Sequence, residues 1–420
     1  MKLKLEKSEI DGSIFPPPSK SLTHRALVCA GLAEGKSKIV SPLLCDDTEA
    51  TCETLTRLGV TIVGDREDYW QVQGGRLEET SEDLFCRESG TTLRFMTAVC
   101  ATIRGRSVLT SRPHLSRRPI QPLLDALREL GAECTKTGDL GPIVIHGGLK
   151  GGYASLPGDV SSQFLSALLL ASPLAENPVD LSLKTPLKSA PYVAMTIEVQ
   201  RSFGVDVESS EGMDHFRVSG EEYAPSTIEV ERDWSSAAYL LALGALAGRL
   251  TVHGMKMKSL QADTRIVEIL QRMGADVATQ ADRVSVERSR LSSIDYDVSD
   301  CPDIFPALSV LCAFAEGVSE IAGVSRLRMK ESDRLAEMSC GLLKAGVKVD
   351  LEGDRLLIEG TKPKGVLLHC GNDHRIAMAY ALLGLATGGT ILENADCVCK
   401  SYPRFWTDLK TVGASLERIA

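Results

Sequence analysis

The sequence predicts an α/β (α+β) chain of two similar domains, each made of three βαβαββ repeats around buried helices, with a ligand site in the interdomain cleft. Three observations lead there. A helix ending in an apolar residue, then Gly, then Ala or Val, recurs six times, at Leu58-Gly59-Val60, Leu130-Gly131-Ala132, Phe203-Gly204-Val205, Met273-Gly274-Ala275, Ala345-Gly346-Val347 and Val412-Gly413-Ala414. Successive glycines are 72, 73, 70, 72 and 67 residues apart, a period long enough for one supersecondary unit per copy. Each such helix follows an earlier one with a polar start and an apolar body. The sixth copy ends one strand short, while the chain opens on a strand that belongs to no copy.

Taken in order, Lys2-Leu3-Lys4-Leu5 alternates as a strand does and has none of the marks of a signal peptide. After Gly413 only Ala414–Ile419 remains, enough for one strand, so the opening strand is expected to complete the sixth module. Residues 1–15 then join 226–420 as one domain, and 16–225 form the other. Pro16-Pro17-Pro18 forbids helix, and Ser19 follows as an N-cap for Lys20 onward. That first turn carries Lys20, Ser21, Thr23 and Arg25 near free N–H groups and the positive end of the helix dipole. Cations are unfavourable there unless an anion sits opposite, so the stretch reads as an anion site. Later helix starts are Glu88-Ser89-Gly90-Thr91-Thr92, Ser161-Ser162-Gln163, Asp233-Trp234-Ser235-Ser236, Asp300-Cys301-Pro302-Asp303 and Asn372-Asp373-His374-Arg375. After most repeat glycines comes a hairpin, as in Val347–Leu351, a turn at Gly353-Asp354, then Leu356–Ile358. Glu221–Ser226 has the composition of a linker. Two crossings between domains make a hinge, and ligands favour clefts at domain interfaces.

Composition narrows the function. With 420 residues the chain exceeds one ordinary core. A net charge of −9 argues against nucleic acid, and no apolar run reaches the length that spans a bilayer. The twelve cysteines are scattered without C-x-x-C and read as reduced thiols of a cytoplasmic protein. The seven histidines lack metal-ligand spacing, so no structural metal is expected, and the lack of a P-loop argues against an ordinary nucleotide kinase; no cofactor is expected.

Polar residues of unusual type collect near helix starts: Lys20, Ser21 and Arg25; Arg94 and Arg118; Ser161, Ser162, Gln163 and Ser189; Asp303; Lys330, Glu331 and Arg334; His374, Arg375 and Lys400. Singly, each has a bland reading. A helix-start cation is usually solvated or paired, Ser161 is equally an N-cap, Asp303 a cap, and Asp373 with Arg375 a structural ion pair. Together they place about eight cations on an acidic chain, as a substrate with several negative charges requires.

At these residues the chain resembles the 5-enolpyruvylshikimate-3-phosphate synthase family. Ser19-Lys20-Ser21…Arg25, Glu88–Arg94, Arg118-Pro119-Ile120, Ser161-Ser162-Gln163, Lys330–Arg334, Asn372–Arg375 and Lys400-Ser401-Tyr402-Pro403 occur over the whole chain in the family's order. The resemblance implies a transferase of the shikimate pathway (aromatic amino-acid and chorismate biosynthesis) that moves the enolpyruvyl group of phosphoenolpyruvate to the 5-hydroxyl of shikimate 3-phosphate. It implies that Lys20, Ser21, Arg25, Ser161, Ser162, Gln163, Ser189, Asp303, Arg326 and Lys330 hold shikimate 3-phosphate. Lys20, Gly90, Arg118, Gln163, Arg334, His374, Arg375 and Lys400 hold phosphoenolpyruvate. Asp303 is then the base on the 5-hydroxyl, Glu331 the proton donor to the methylene carbon, and Lys20 reaches both ligands. Gly90 is the residue associated in the family with sensitivity to glyphosate, a phosphoenolpyruvate competitor. Arg326 stands where the family frequently has Asn, Glu88 also where Asn is frequent, and Phe95 where Pro is. A monomer is implied, with an apo state more open than the liganded one.

Three other readings share some of these features. A sister enzyme that transfers enolpyruvate to UDP-N-acetylglucosamine typically has Lys-Asn at the first motif and a reactive Cys in the loop before the arginine; here the motif is Lys20-Ser21 and Ser111–Arg118 has no Cys. RNA 3′-phosphate cyclase shares the module but would want a basic RNA face. A non-catalytic anion-binding two-domain protein gains nothing from Asp303 and Glu331 among its cations.

Overall fold

The six repeat glycines all have φ between 82° and 98°. At each, the glycine N–H donates to the carbonyl three residues back and the next N–H to the carbonyl five back. Gly59 reaches Thr56 and Val60 reaches Leu55; Gly346 reaches Leu343 and Val347 reaches Leu342. This is the Schellman closure, which a β-carbon would strain and which turns the chain straight into a strand. The repeat read from sequence is therefore one physical device used six times.

The computed structural model describes residues 1–65 and 68–419. Among them the strands form six four-stranded sheets of one pattern: an edge strand parallel to its neighbour, then two antiparallel strands. Lys2–Leu5 pairs antiparallel with both Thr390–Glu393 and Leu416–Ile419, in the sheet whose edge is Leu367–His369. Its side chains pack on helix His374–Thr387, where a β-carbon on Gly384 would lie 2.6 Å from the Leu5 side chain. Ile10–Ile14 runs parallel to Gly248–His253.

Two compact units result, Pro18–Val230 and Met1–Pro17 with Glu231–Ala420. The first extends to Val230, past residue 225, because Thr227–Glu229 pairs in parallel with Gly35–Val40 and so belongs to the sheet of the first repeat. Each unit is built on helices that are apolar all round. In Pro18–Val230 these are Lys20–Leu32, Gly90–Cys100 and Ser162–Ala171, with Ala26, Leu27, Val28, Met96, Phe164 and Leu169 inaccessible to solvent. In the other unit they are Trp234–Ala247, Phe305–Phe314 and His374–Thr387. Each large apolar side chain buried this way contributes roughly 1.5–3 kcal/mol. Such helices can expose only their ends to water, so their first turns become the chemically useful surface. No helix of the described residues is long and apolar enough to cross a membrane. All twelve cysteines are thiols outside any disulfide, with Cys340 and Cys399 exposed.

Candidate active site

In the Pro18–Val230 unit, three helix starts carry the sequence-predicted residues. Ser19 caps Lys20–Leu32, its hydroxyl accepting from Leu22 N–H at 3.4 Å. Lys20 follows, and its Nζ donates to Asp47 Oδ2 at 2.7 Å. Arg25 lies one turn deeper, 2% exposed, and its guanidinium faces inward. Nε donates to Thr196 Oγ1 at 2.8 Å, Nη1 to the Ser21 carbonyl at 2.8 Å and Nη2 to the Tyr192 carbonyl at 2.9 Å. Burial lowers its pKa to about 10. Arg25 thus ties the start of one helix to Ala190–Ser202, whose cap residue Ser189 sits at φ 59°. For a non-glycine residue this is a strained conformation, and it holds Ser189 at a sharp corner.

Ser89 caps Gly90–Cys100 through the Thr92 N–H. The space a β-carbon of Gly90 would fill is taken by two guanidinium groups, with Arg94 Nη1 at 2.7 Å and Arg118 Nη1 at 2.9 Å. Arg94 Nη1 also donates to Gln163 Oε1 at 2.6 Å, and Gln163 Nε2 to Thr91 Oγ1 at 3.0 Å. Gln163 is the second residue of Ser162–Ala171, capped by Ser161 Oγ, which accepts from Gln163 N–H at 3.3 Å. Gly90, Arg94, Arg118, Ser161, Ser162 and Gln163 are therefore one cluster at the ends of two packed helices.

Beneath it runs a buried chain, from His24 Nδ1 to Thr51 Oγ1 at 2.8 Å and on to Thr92 Oγ1 at 2.7 Å, which locks three helices in register. Burial, with Lys20 and Arg25 nearby, holds the His24 pKa well below its ordinary value, so the ring is neutral.

The second unit gathers its residues around Arg334, the first residue of Arg334–Lys344 and 1% exposed. Nε donates to Asp373 Oδ2 at 2.8 Å, Nη1 to Asp303 Oδ1 at 2.6 Å and Nη2 to Glu331 Oε2 at 2.8 Å. Asp373 in turn caps His374–Thr387, accepting from Arg375 N–H at 2.9 Å. Arg375 is buried; its Nη2 stands 3.6 Å from Asp303 Oδ2, while Nε and Nη1 have no hydrogen-bond partner. Burial alone would raise the Asp303 pKa, but Arg334, Arg375 and Lys330 hold it well below the usual carboxylate range. Lys330 is pushed down to about 8, mainly by burial and by Arg334 and Arg326, with Asp303 opposing. Arg326 Nη1 lies 3.4 Å from the Ser299 carbonyl. His374 is buried beside Asp373, 3.9 Å from Nδ1 to Oδ1.

The cations do not all sit at helix starts. Lys330 follows the 3-10 turn Ser325–Met329, and Lys400 closes the 3-10 turn Ala395–Lys400, its Nζ donating to the Asn372 carbonyl at 2.7 Å. Sequence reasoning missed Asp47 and the role of Asp373 as a third carboxylate on Arg334, beside Asp303 and Glu331. Acidic residues before a helix look like ordinary caps, and Asp47 meets Lys20 only because two helices pack. The arrangement concentrates cations for an anionic ligand and holds two carboxylates, Asp303 and Glu331, on one guanidinium, a combination suited to moving protons beside negative charge.

Comparison with known proteins agrees with this chemistry. Residues 5–409 match the family model described as EPSP synthase (3-phosphoshikimate 1-carboxyvinyltransferase). The chain is 41% identical over 418 residues to the 3-phosphoshikimate 1-carboxyvinyltransferase of a Dehalococcoides mccartyi strain, covering 99% of both. It is 41% identical over 433 residues to the protein of that name from Halobacterium salinarum, covering 99% of this chain and 100% of the relative. The solved EPSP synthase of Acinetobacter baumannii superposes with a TM-score of 0.84 at 28% identity, covering 99% of each chain.

Proposed function

The chain belongs to the EPSP synthase family, and on that premise we propose how its residues divide the work of enolpyruvyl transfer. The reaction moves the carboxyvinyl group of phosphoenolpyruvate to the 5-hydroxyl of shikimate 3-phosphate and releases phosphate. Ser161, Ser162, Gln163, Ser21, Ser189, Lys20 and Lys330 hold shikimate 3-phosphate. Hydroxyls and helix-start N–H groups take its phosphate, and the lysines supply charge. Arg118, Arg375, Lys400, His374 and Gly90 receive phosphoenolpyruvate, with Lys20 and Gln163 reaching both ligands. Arg25 acts from behind by fixing Ser21 and Tyr192, which its three inward hydrogen bonds support. Arg326 is read as a weaker shikimate contact. Arg334 both orients the carboxylates and neutralises them as the anions arrive.

In the addition step Glu331 gives a proton to the methylene carbon, and C2 becomes electrophilic. The 5-hydroxyl oxygen bonds to C2 while its proton passes to Asp303. In the elimination step the new methyl group returns a proton to the Glu331 carboxylate, the C–H electron pair re-forms the double bond, and the C2–O bond breaks with its electron pair leaving on phosphate. The observation that carries the reading is the single Arg334 guanidinium bonded to both Asp303 and Glu331. An anion receptor has no use for that arrangement. We read the enzyme as a cytoplasmic monomer sensitive to glyphosate, to be checked by light scattering, fractionation and inhibition competitive with phosphoenolpyruvate.

The primary experiment measures phosphate release from phosphoenolpyruvate with shikimate 3-phosphate or UDP-N-acetylglucosamine as acceptor, without added metal. Release with shikimate 3-phosphate alone is expected. Release with the sugar nucleotide alone, or tight phosphate binding without turnover, would overturn the reading.

A further inference from the structure

The interior of the unit formed by Met1–Pro17 and Glu231–Ala420 holds a carboxyl group that no step above uses. Asp263 lies in the 3-10 turn Ala262–Arg265 and is 1% exposed. Its Oδ2 accepts from the Ser235 hydroxyl, and its Oδ1 is buried with no hydrogen-bond partner. A buried carboxylate is costly unless a cation pairs with it. The groups facing Asp263 are mostly of its own sign. Asp233, at the start of Trp234–Ala247, and Asp303, in the turn before Phe305–Phe314, carry that sign, while Cys301 of the same turn is a thiol that burial keeps protonated. Arg375, from His374–Thr387, is the cation among them. Arg375 is itself incompletely bonded, lies 5.8 Å over the Tyr239 ring and reaches Asp303 Oδ2 only at 3.6 Å. Ser235 and Tyr239 stand one turn apart on Trp234–Ala247, the first donating to Asp263 and the second to the Asp303 carbonyl at 3.0 Å beneath Arg375, so Asp263 and Asp303 flank the same guanidinium.

We propose that Asp263 is a positioning residue for the base: its charge, shared with Asp303 over Arg375, sets how firmly Asp303 holds a proton. The inference rests on the assignment of Asp303 as the base. Burial, then the Asp303 charge, pushes Asp263 up to about 7, with Ser235 and Arg375 opposing. Below that pH Asp263 is neutral, and Asp303 is left to its three cations as a weak base. Above it the second negative charge competes for Arg375 and strengthens Asp303 at the moment it takes the 5-hydroxyl proton, while the hydroxyl oxygen's electron pair forms the bond to C2. After that transfer Asp303 is neutral, and Asp263 keeps a negative charge beside Arg375.

The test is the ratio of kcat/KM for shikimate 3-phosphate, variant over wild type, from pH 5.5 to 9, in which titration of the substrates cancels. For Asp263→Asn the ratio should be near one below pH 6 and fall at least about fivefold above pH 8. Ser235→Ala removes the hydroxyl that favours the ionised form. Its ratio should dip just above pH 7 and recover at higher pH, and it carries the test should Asp263→Asn fail to fold. Ratios independent of pH for both variants, with Asp303→Asn inactive, would overturn the inference alone. An Asp303→Asn enzyme that keeps turning over would remove the base assignment and the inference with it.

Discussion

Replacing Arg334 with Lys keeps a charge and removes a shape. The three Arg334 nitrogens stand at the corners of a rigid plane and serve three carboxylates, whereas an ammonium donates from one point. The Asp373 side chain is fully buried, while Asp303 and Glu331 are 22% and 24% exposed, so water can repair the second and third bonds but not the first. Breaking a buried pair costs about 3–5 kcal/mol. Ser332 Oγ and the Arg375 N–H remain on Asp373 and soften the loss. A net destabilisation of about 2–4 kcal/mol follows, or roughly 5–15 °C in the melting midpoint for a unit of this size.

The pH dependence of that loss has a definite sign. Arg334 leads the cations that depress Asp303, and a depressed carboxylate stabilises the fold above its unfolded pKa and loses that contribution as pH falls through the folded one. The wild-type advantage over Arg334→Lys should therefore shrink below about pH 4. Calorimetry at pH 7 and pH 3, with phosphate release at pH 7, provides the assay, and turnover should drop at least about 100-fold. A midpoint gap under about 2 °C at pH 7, or one that stays constant down to pH 3, would refute the reasoning.

Other outcomes follow from the same geometry. Gly90→Ala improves helix propensity by about 1 kcal/mol but drives a methyl into Arg94 and Arg118, so stability should hardly change while KM for phosphoenolpyruvate rises about tenfold. Lys330 loses its charge as pH rises through about 8, so shikimate 3-phosphate affinity by calorimetry should weaken there, and Lys330→Arg should abolish the weakening. Asp303→Asn and Glu331→Gln should each cut turnover at least about 1,000-fold yet leave shikimate 3-phosphate binding within about threefold; equal losses in both would support a pure receptor. Gly346→Ala meets nothing within 4 Å but keeps φ at 84°, so it should cost about 1 kcal/mol of conformational strain, read as a midpoint lowered by about 2–4 °C.

How much was legible depended on how local the cause was. The six glycine closures need only a left-handed residue and two backbone hydrogen bonds within six residues, so they stand in the sequence and carry the repeat with them. The polar first turns of Lys20–Leu32, Gly90–Cys100 and His374–Thr387 are equally local, since an apolar body leaves only its end for chemistry. Their pairings are not. Lys20 meets Asp47 across 27 residues, Arg94 meets Gln163 across 69, and Arg25 reaches Thr196 across 171. Each bond depends on which buried helices touch, and on side-chain directions that no local pattern contains. The same holds where Thr227–Glu229 joins the sheet of the first repeat and moves the edge of the unit to Val230. The sequence by itself determined the module, its sixfold use and the chemical character of its helix ends. Only the tertiary structure decided that Arg25 turns inward, that Arg334 serves three carboxylates and that Asp263 lies buried without a full set of partners. Backbone closure is a short-range constraint, whereas the charge state and partners of a side chain are set by every element packed around it.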